Sequence, residues 1–315
     1  MAVVNRAKQF GRDLVARAIA PLLRRLAPDP KYFDLWQNHG CHVTPLHYYE
    51  PIPDTRGLPL SLWNRVSDLP SIDMRDAHQE RLLSEIVARF KDEYTAIPEG
   101  APTQEFHYYL GNTAFEAVDA EMLFGLIRLL KPRRVYEIGS GFSTLLAADA
   151  LRRNRGDGYS CRFIAVEPYP SARLQAELPC NVELWRVPVQ DVAVGEFQLL
   201  GEDDILFIDS SHVCKIGSDV QFLFLEVLPR IRPGVVVHIH DIFVPVEYPK
   251  QWVLDRHLFW NEQYLLQMFL SFNATFEVLW AAQWMNIKHP DLLMKAFPSY
   301  KAGVSPANFW FRRIP

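Results

Sequence analysis

The chain has 315 residues, 49% of them hydrophobic and 22% charged, enough to bury one large core together with a modest appendage. Its net charge of −4 gives no electrostatic reason to expect a nucleic-acid partner, and no run approaches the roughly 18 apolar residues needed to cross a bilayer. Cys41, Cys161, Cys180 and Cys214 lie far apart without a CxxC pair, which argues against a structural zinc site or a disulfide framework and suits a reducing, cytoplasmic setting.

Residues 1–28 differ from the rest. Arg6, Lys8, Arg12, Arg17, Arg24 and Arg25 face a single acid, Asp13, while Phe10, Leu14, Ala18, Leu22 and Leu26 recur at near-helical spacing. This pattern predicts a basic amphipathic helix. Two destinations are open to it: an anionic membrane surface, giving peripheral membrane contact, or, preferred here, a docked position on its own domain or on a second subunit, giving a homo-oligomer. Arg17 interrupts the one apolar region a secretory signal would need, and an organellar presequence stays open.

From Pro28 to Pro102 the chain is rich in prolines and aromatics. One helix is predicted, Asp76 to Tyr94, with Leu82, Leu83, Ile86 and Phe90 on a common stripe. The segment HVTPLHYYEPIPD, His42 to Asp54, is kept extended or turned by its X-Pro bonds, yet carries His42, His47, Tyr48 and Tyr49. Flat rings with polar tips suit a substrate-covering arm. They suit equally an arm anchored through Tyr48 and Tyr49 with both histidines solvated. Residues 1–101 are read as an N-terminal extension and 102–315 as the domain that carries the chemistry.

That domain should open with a helix, Ala114–Leu130, apolar on most of its circumference and stopped by Pro132. Strands and helices then alternate: Arg134–Ile138, a helix, Cys161–Val166, Val182–Val187, Ile205–Ile208, a helix Val220–Leu228, Val235–Ile239, a helix around Glu262–Phe272, then Phe276–Trp280 and Phe309–Arg313. Such alternation predicts an α/β, Rossmann-like, doubly wound sheet that is mostly parallel.

The organising stretch is RVYEIGSGFST, Arg134 to Thr144, where an apolar strand breaks into a glycine-containing turn and reopens as a helix. Gly139 and Gly141 supply backbone freedom, and Ser143-Thr144 can cap the helix. The turn directs backbone N–H groups and a positive helix end at one ligand, at the edge where the strand order reverses. Glu167, ending the next strand, is placed to accept hydrogen bonds from ribose hydroxyls. A dinucleotide would want a third glycine where Thr144 stands. Glu137, two residues before Gly139, would repel a pyrophosphate but suits the ammonium and sulfonium of S-adenosylmethionine.

Glu137-x-Gly139-x-Gly141, followed one strand later by Glu167, resembles the first two motifs of the class I S-adenosylmethionine-dependent methyltransferases, over about the last two thirds of the chain. The resemblance implies a C-terminal antiparallel pair from Phe276–Trp280 and Phe309–Arg313. It also implies a cofactor held by Glu137, Gly139, Gly141, Ser143 and Glu167, with Asp191 toward the adenine and Asp209 bordering the crevice. The His42–Asp54 arm resembles the N-terminal part of bacterial methyltransferases found among surface-polysaccharide and natural-product genes.

Two further strand ends carry chemistry. Asp209 stands at the tip of DILFIDSSH with Ser210, Ser211 and His212 after it, and VVVHIHDIF delivers His238, His240 and Asp241. An unpaired buried charge costs several kcal/mol, so these groups must satisfy one another or a ligand. Asp209 and Asp241, with His240 or a substrate oxygen, suit Mg²⁺ or another divalent cation such as Mn²⁺, Fe²⁺ or Zn²⁺, which would lower the pKa of an acceptor hydroxyl. The pattern looks like that of metal-dependent O-methyltransferases of the catechol and macrolide-sugar types, except that His240 stands where their first fifth-strand acid would be. Without a metal, His212 or His240 would be general base, oriented by Asp209 or Asp241. A third account makes His238 a hydrogen-bonded core residue; by strand alternation it shares a face with His240 while Asp241 points away.

Beyond the fifth strand, Tyr248, Trp252, Trp260 and Tyr264 are candidates for one wall of an acceptor pocket, with His42–Tyr49 facing it, or else for a subunit interface. The reading these residues support is an S-adenosylmethionine-dependent transferase, cytoplasmic or membrane-associated, that methylates oxygen on a small polar acceptor: a sugar, a glycan or a glycosylated natural product. Two other classes stay open, an NAD(P)-dependent oxidoreductase on a Rossmann-like fold and a non-catalytic binding protein retaining the methyltransferase fold.

Overall fold

A computed structural model describes residues 2–101, 107–172, 174, 182–301 and 303–315. Pro102, the expected start of the domain, and Cys180 lie outside the described residues. The chain divides into two compact units, Met1–Pro59 and Leu60–Pro315.

In the larger unit seven strands form one sheet: β1 Arg134–Ile138, β2 Arg162–Val166, β3 Val182–Trp185, β4 Ile205–Ile208, β5 Val236–Ile239, β6 Phe276–Ala281 and β7 Phe309–Arg313. Their order is β3-β2-β1-β4-β5-β7-β6. β1 to β5 pair in parallel, and β7 runs antiparallel to both β5 and β6. β4 and β5 are buried along their whole length, which is why they read as near-continuous apolar runs, broken only by His238, rather than alternating ones. The order reverses between β1 and β4, so the tips of those strands flank the crevice expected of a doubly wound sheet.

The helix ahead of β1 spans Asp119–Leu130 and is buried from Asp119 through Arg128. It starts five residues later than Ala114 because side chains capture the preceding N–H groups. Asn112 Oδ1 accepts from the backbones of Ala114 (2.9 Å) and Phe115 (2.7 Å), and Glu121 accepts from Val118 N–H at 2.7 Å. Val118 itself adopts φ +70°, which no helix interior allows. The expected Val220–Leu228 helix is Asp219–Phe222, continued as a wider π turn, Leu223–Val227, and a tight turn, Leu228–Arg230, where Pro229 ends the regular bonding.

Helix Asp76–Thr95 buries Leu83, Ile86, Phe90 and Tyr94 in the same core. Gly125 of the next helix lets it come close, since a Cβ there would lie 2.4 Å from Ile86 Cγ2. That packing places Asp76–Thr95 in the larger unit, and the division falls at 59/60 rather than at 101/102. The smaller unit holds helix Ala2–Leu26, a 3₁₀ turn Pro30–Tyr32 and helix Phe33–Asn38. Among the described residues no helix is long and apolar enough to cross a membrane.

Candidate active site

The turn after β1 is held by backbone on both sides. Gly139 N–H donates to Val166 O at 3.0 Å, and Asp209 N–H donates to Ile138 O at 2.9 Å. Gly139 adopts φ +84°, and a Cβ on it would lie 1.9 Å from the Asp209 carbonyl oxygen; only glycine permits that approach. Gly141 then leads helix Phe142–Gly156, its N–H donating to Thr144 Oγ1 at 3.0 Å. Thr144 is thus the capping side chain. Ser143 turns instead to Glu137, donating to Oε1 at 2.7 Å.

Glu137 is buried, and its Oε2 has no hydrogen-bond partner among the described residues. Burial pushes its carboxyl up to about 8, against the opposing pull of Ser143 and Thr144. Ser140 Oγ is likewise buried without a partner. Glu167, past the tip of β2, accepts from Ser140 N–H (3.2 Å) and Tyr169 N–H (2.7 Å), which leaves lone pairs for two more donors. Asp191 is exposed, in the short turn Val189–Asp191 beyond β3.

S-adenosylmethionine fits these residues. The orphaned Glu137 oxygen suits a cation, Glu167 has capacity for vicinal hydroxyls, and among the described residues no atom beyond Gly141's own neighbours stands within 4 Å of where its Cβ would be, so a ligand can approach the backbone there.

The second half of the site gathers at the tips of β4 and β5. His212 Nε2 lies 3.3 Å from Asp209 Oδ1 and 3.5 Å from Asp241 Oδ2, while its Nδ1 lies 2.9 Å from Glu262 Oε2. One ligand atom each from Asp209, His212 and Asp241 falls within 4.8 Å of the others, a spread that one ion with bonds of roughly 2.0–2.6 Å can span. His212 and Asp241 both adopt left-handed backbone, φ +59° and +56°, which costs of order 1–3 kcal/mol and clusters at functional sites. Backbone and amide bonds stitch the loops together. Asn261 N–H and Glu262 N–H donate to His212 O (3.1 and 3.3 Å), and Cys214 N–H donates to Asn261 Oδ1 at 2.6 Å.

This geometry changes the expected ligand set. The atoms that converge belong to Asp209, His212 and Asp241, with His240 outside the trio. Alternation does not carry Asp241 away from His240, because the strand ends at Ile239 and the left-handed turn folds the carboxylate back to 3.8 Å from His240 Nε2. His238 and His240 do share a face, their rings 5.7 Å apart. His238 is packed rather than hydrogen-bonded: its ring stacks on Phe207 at 4.0 Å and tilts on Trp310 at 4.5 Å. Neither nitrogen has a partner among the described residues, and burial holds it well below the usual range and neutral.

Charge balance in the cluster follows from burial and pairing. Burial works to lower His212, but Asp209 and Glu262 outweigh it and push the imidazole up to about 10. Asp209 is the converse, since burial works to raise it and His240 and His212 hold it below the usual carboxylate range. Asp241 is raised by burial, partly offset by His240. His240, buried against Phe115 at 4.9 Å, resists its own burial through Asp241, Asp209 and Asp119 and titrates above the ordinary value.

Tyr248 does not wall a pocket. It is buried, and its hydroxyl accepts from Gln263 N–H at 3.0 Å. Trp252 packs edge-on against Phe243 and Trp260, each at 5.3 Å, and Trp260 lies over His212 at 4.3 Å. Trp260 is therefore the loop aromatic that borders the cluster. His42, His47, Tyr48 and Tyr49 belong to the smaller unit, where they are exposed and His47, Tyr48 and Tyr49 lean on one another at 4.3–5.3 Å.

Sequence reasoning missed Glu262 and Asp119. Each opens a helix, where an acid is commonplace, and nothing local marks Glu262 as the clamp on His212 or Asp119 as the acceptor of Ala307 and Asn308 N–H at 3.1–3.2 Å. A cavity of about 1930 Å³ beside Arg134, Arg162 and Asp204 opens at the opposite, amino edge of the sheet and takes no part in this chemistry.

Residues 136–242 match the family described as methyltransferase domain. An uncharacterized protein of Archaeoglobus fulgidus is 33% identical over 175 residues, covering 53% of this chain and 77% of that protein. Among solved structures, an O-methyltransferase from Bacillus cereus in complex with SAH is 15% identical, covering 74% of this chain and 90% of its own, with a TM-score of 0.35. The plantazolicin methyltransferase BpumL, in complex with a pentazolic desmethylPZN analog and SAH, is 7% identical over 77% of this chain and 100% of its own, with a TM-score of 0.38. Likeness at that level does not bear on the chemistry of this chain.

Proposed function

We propose that this chain, which belongs to the class I S-adenosylmethionine-dependent methyltransferases by the match of residues 136–242, methylates an oxygen of a small polar acceptor, with a divalent cation held by Asp209, His212 and Asp241. A sugar, glycan or glycosylated natural product is the acceptor class that suits Trp260 beside the cluster, since sugar rings pack on such faces. S-adenosylmethionine supplies an electrophilic methyl group on sulfur. A divalent cation would lower the pKa of the acceptor hydroxyl.

The protein's own part is to bind and orient. Glu137 and the Gly139–Gly141 turn receive the charged amino-acid end of the cofactor, and Glu167 receives its ribose. Glu262 fixes His212 through Nδ1, so that Nε2 faces the two carboxylates. That is the outer-sphere arrangement that orients an imidazole ligand, and it is the observation that carries the reading. Two carboxylates alone would favour Mg²⁺, and an imidazole beside them widens the choice to Mn²⁺, Fe²⁺ or Zn²⁺. The metal-free alternative makes His212 the general base, its Nδ1 held by Glu262 and its Nε2 facing Asp209 and Asp241.

The test is titration calorimetry with Mn²⁺ and Mg²⁺ on the wild-type protein and on His212→Ala, alongside methyl transfer after exhaustive chelation. Saturable binding that His212→Ala removes, with transfer lost on chelation and restored by metal, is expected. Transfer that survives chelation unchanged would eliminate the cation.

A further inference from the structure

We propose that helix Ala2–Leu26 is a surface anchor that lies in the interface of a bilayer containing anionic phospholipid. Phe10, Leu14, Val15, Ile19 and Leu22 are 71%, 62%, 59%, 44% and 55% exposed, so these five apolar side chains are left in water. At about 100° per residue they fall within one half of the helix circumference together with Ala18, while Arg12, Arg17 and Arg24 occupy the other half. A contiguous exposed stripe of this kind marks an interaction surface. Arg25 lies on the apolar side near the end of the helix, where a long side chain reaches back to the headgroups.

The charge says what the surface meets. Arg6, Lys8, Arg12, Arg17, Arg24 and Arg25 against Asp13 give the helix +5, which leaves −9 for the remainder of a chain whose total is −4. Two such helices repel one another, whereas an anionic lipid surface attracts the helix and repels the remainder. The helix, about 37 Å long at 1.5 Å per residue, is too polar to cross a bilayer and has the composition of one that lies along it. This inference stands apart from the methyl-transfer chemistry.

The experiment is co-sedimentation of the full-length protein with phosphatidylcholine vesicles made with and without phosphatidylglycerol, at low and high salt. Binding to the anionic vesicles alone, weakening as salt screens the contact, is expected. The Arg12→Gln/Arg17→Gln/Arg24→Gln variant should bind on the order of a hundredfold more weakly, roughly fivefold for each charge removed. Leu14→Asp/Leu22→Asp should abolish binding, with thermal unfolding and S-adenosylhomocysteine affinity unchanged to show that the rest of the chain is intact. Equal binding to both vesicle types, or to neither, would overturn the proposal. So would light scattering that shows a dimer which Leu14→Asp/Leu22→Asp converts to a monomer.

Discussion

Glu137→Gln tests the cofactor half of the site most sharply. In the folded protein burial raises this carboxyl from 4.5 to about 8, a difference of 3.5 units or, at about 1.4 kcal/mol per unit, a limit of about 5 kcal/mol. A raised folded-state value means that the native state keeps a proton the unfolded chain has released. The stabilisation is therefore complete below pH 4.5 and is lost as pH climbs to about 8. Glutamine is neutral throughout. Urea unfolding of wild type and Glu137→Gln at pH 5 and pH 8 should show the wild type losing several kcal/mol more than the variant across that window. Cofactor binding should reverse the preference, because an ammonium and a sulfonium nearby favour the ionised carboxylate. At pH 7 the wild type should then release close to one proton on binding, read as a binding enthalpy that changes with the ionisation enthalpy of the buffer, and Glu137→Gln should release none from this position. Identical pH dependence of stability in the two proteins, together with buffer-independent enthalpy in the wild type, would refute the placement of a cation beside Glu137.

Glu262→Gln should leave S-adenosylhomocysteine affinity intact while lowering Mn²⁺ affinity about 10- to 100-fold in calorimetry, the usual effect of removing the group that orients a ligating imidazole. Glu167→Ala should weaken cofactor binding by roughly 1–3 kcal/mol, the scale of charge-assisted hydrogen bonds, whereas Asp241→Ala should spare it and abolish transfer; equal loss of affinity from both would mean the two halves of the site are wrongly divided. Gly139→Ala places a methyl 1.9 Å from the Asp209 carbonyl oxygen at φ +84°. It should lower stability by at least about 2 kcal/mol in urea unfolding, from left-handed strain and a backbone that must part.

The strands were legible because their causes are local. ILFI is apolar without interruption and VVHI is broken only by His238, as suits strands covered on both faces, and the glycine spacing after Ile138 announced the turn. Where reading failed, the deciding contact came from elsewhere. Ala114 to Val118 look helical until Asn112 and Glu121 take their N–H groups. Asp241 should alternate away from His240 until a left-handed residue reverses it. His240 adjoins Asp241 in sequence and looked like its fellow ligand, yet the imidazole nitrogen that converges on the two carboxylates belongs to His212, whose other nitrogen Glu262, fifty residues on, grips. Tyr248 looked like pocket lining, and its burial depends on Gln263, a partner that only the folded chain supplies.

The contact between Gly139 and the Asp209 carbonyl joins the two halves of the crevice main chain to main chain, with no side chain between them to absorb a displacement. On the proposed reading, whatever settles into the bend after β1 sits on the same joint that carries Asp209, the carboxylate assigned to the cation. Grip on one substrate and alignment of the other are therefore mechanically a single adjustment, and a change that loosens either will be felt by both.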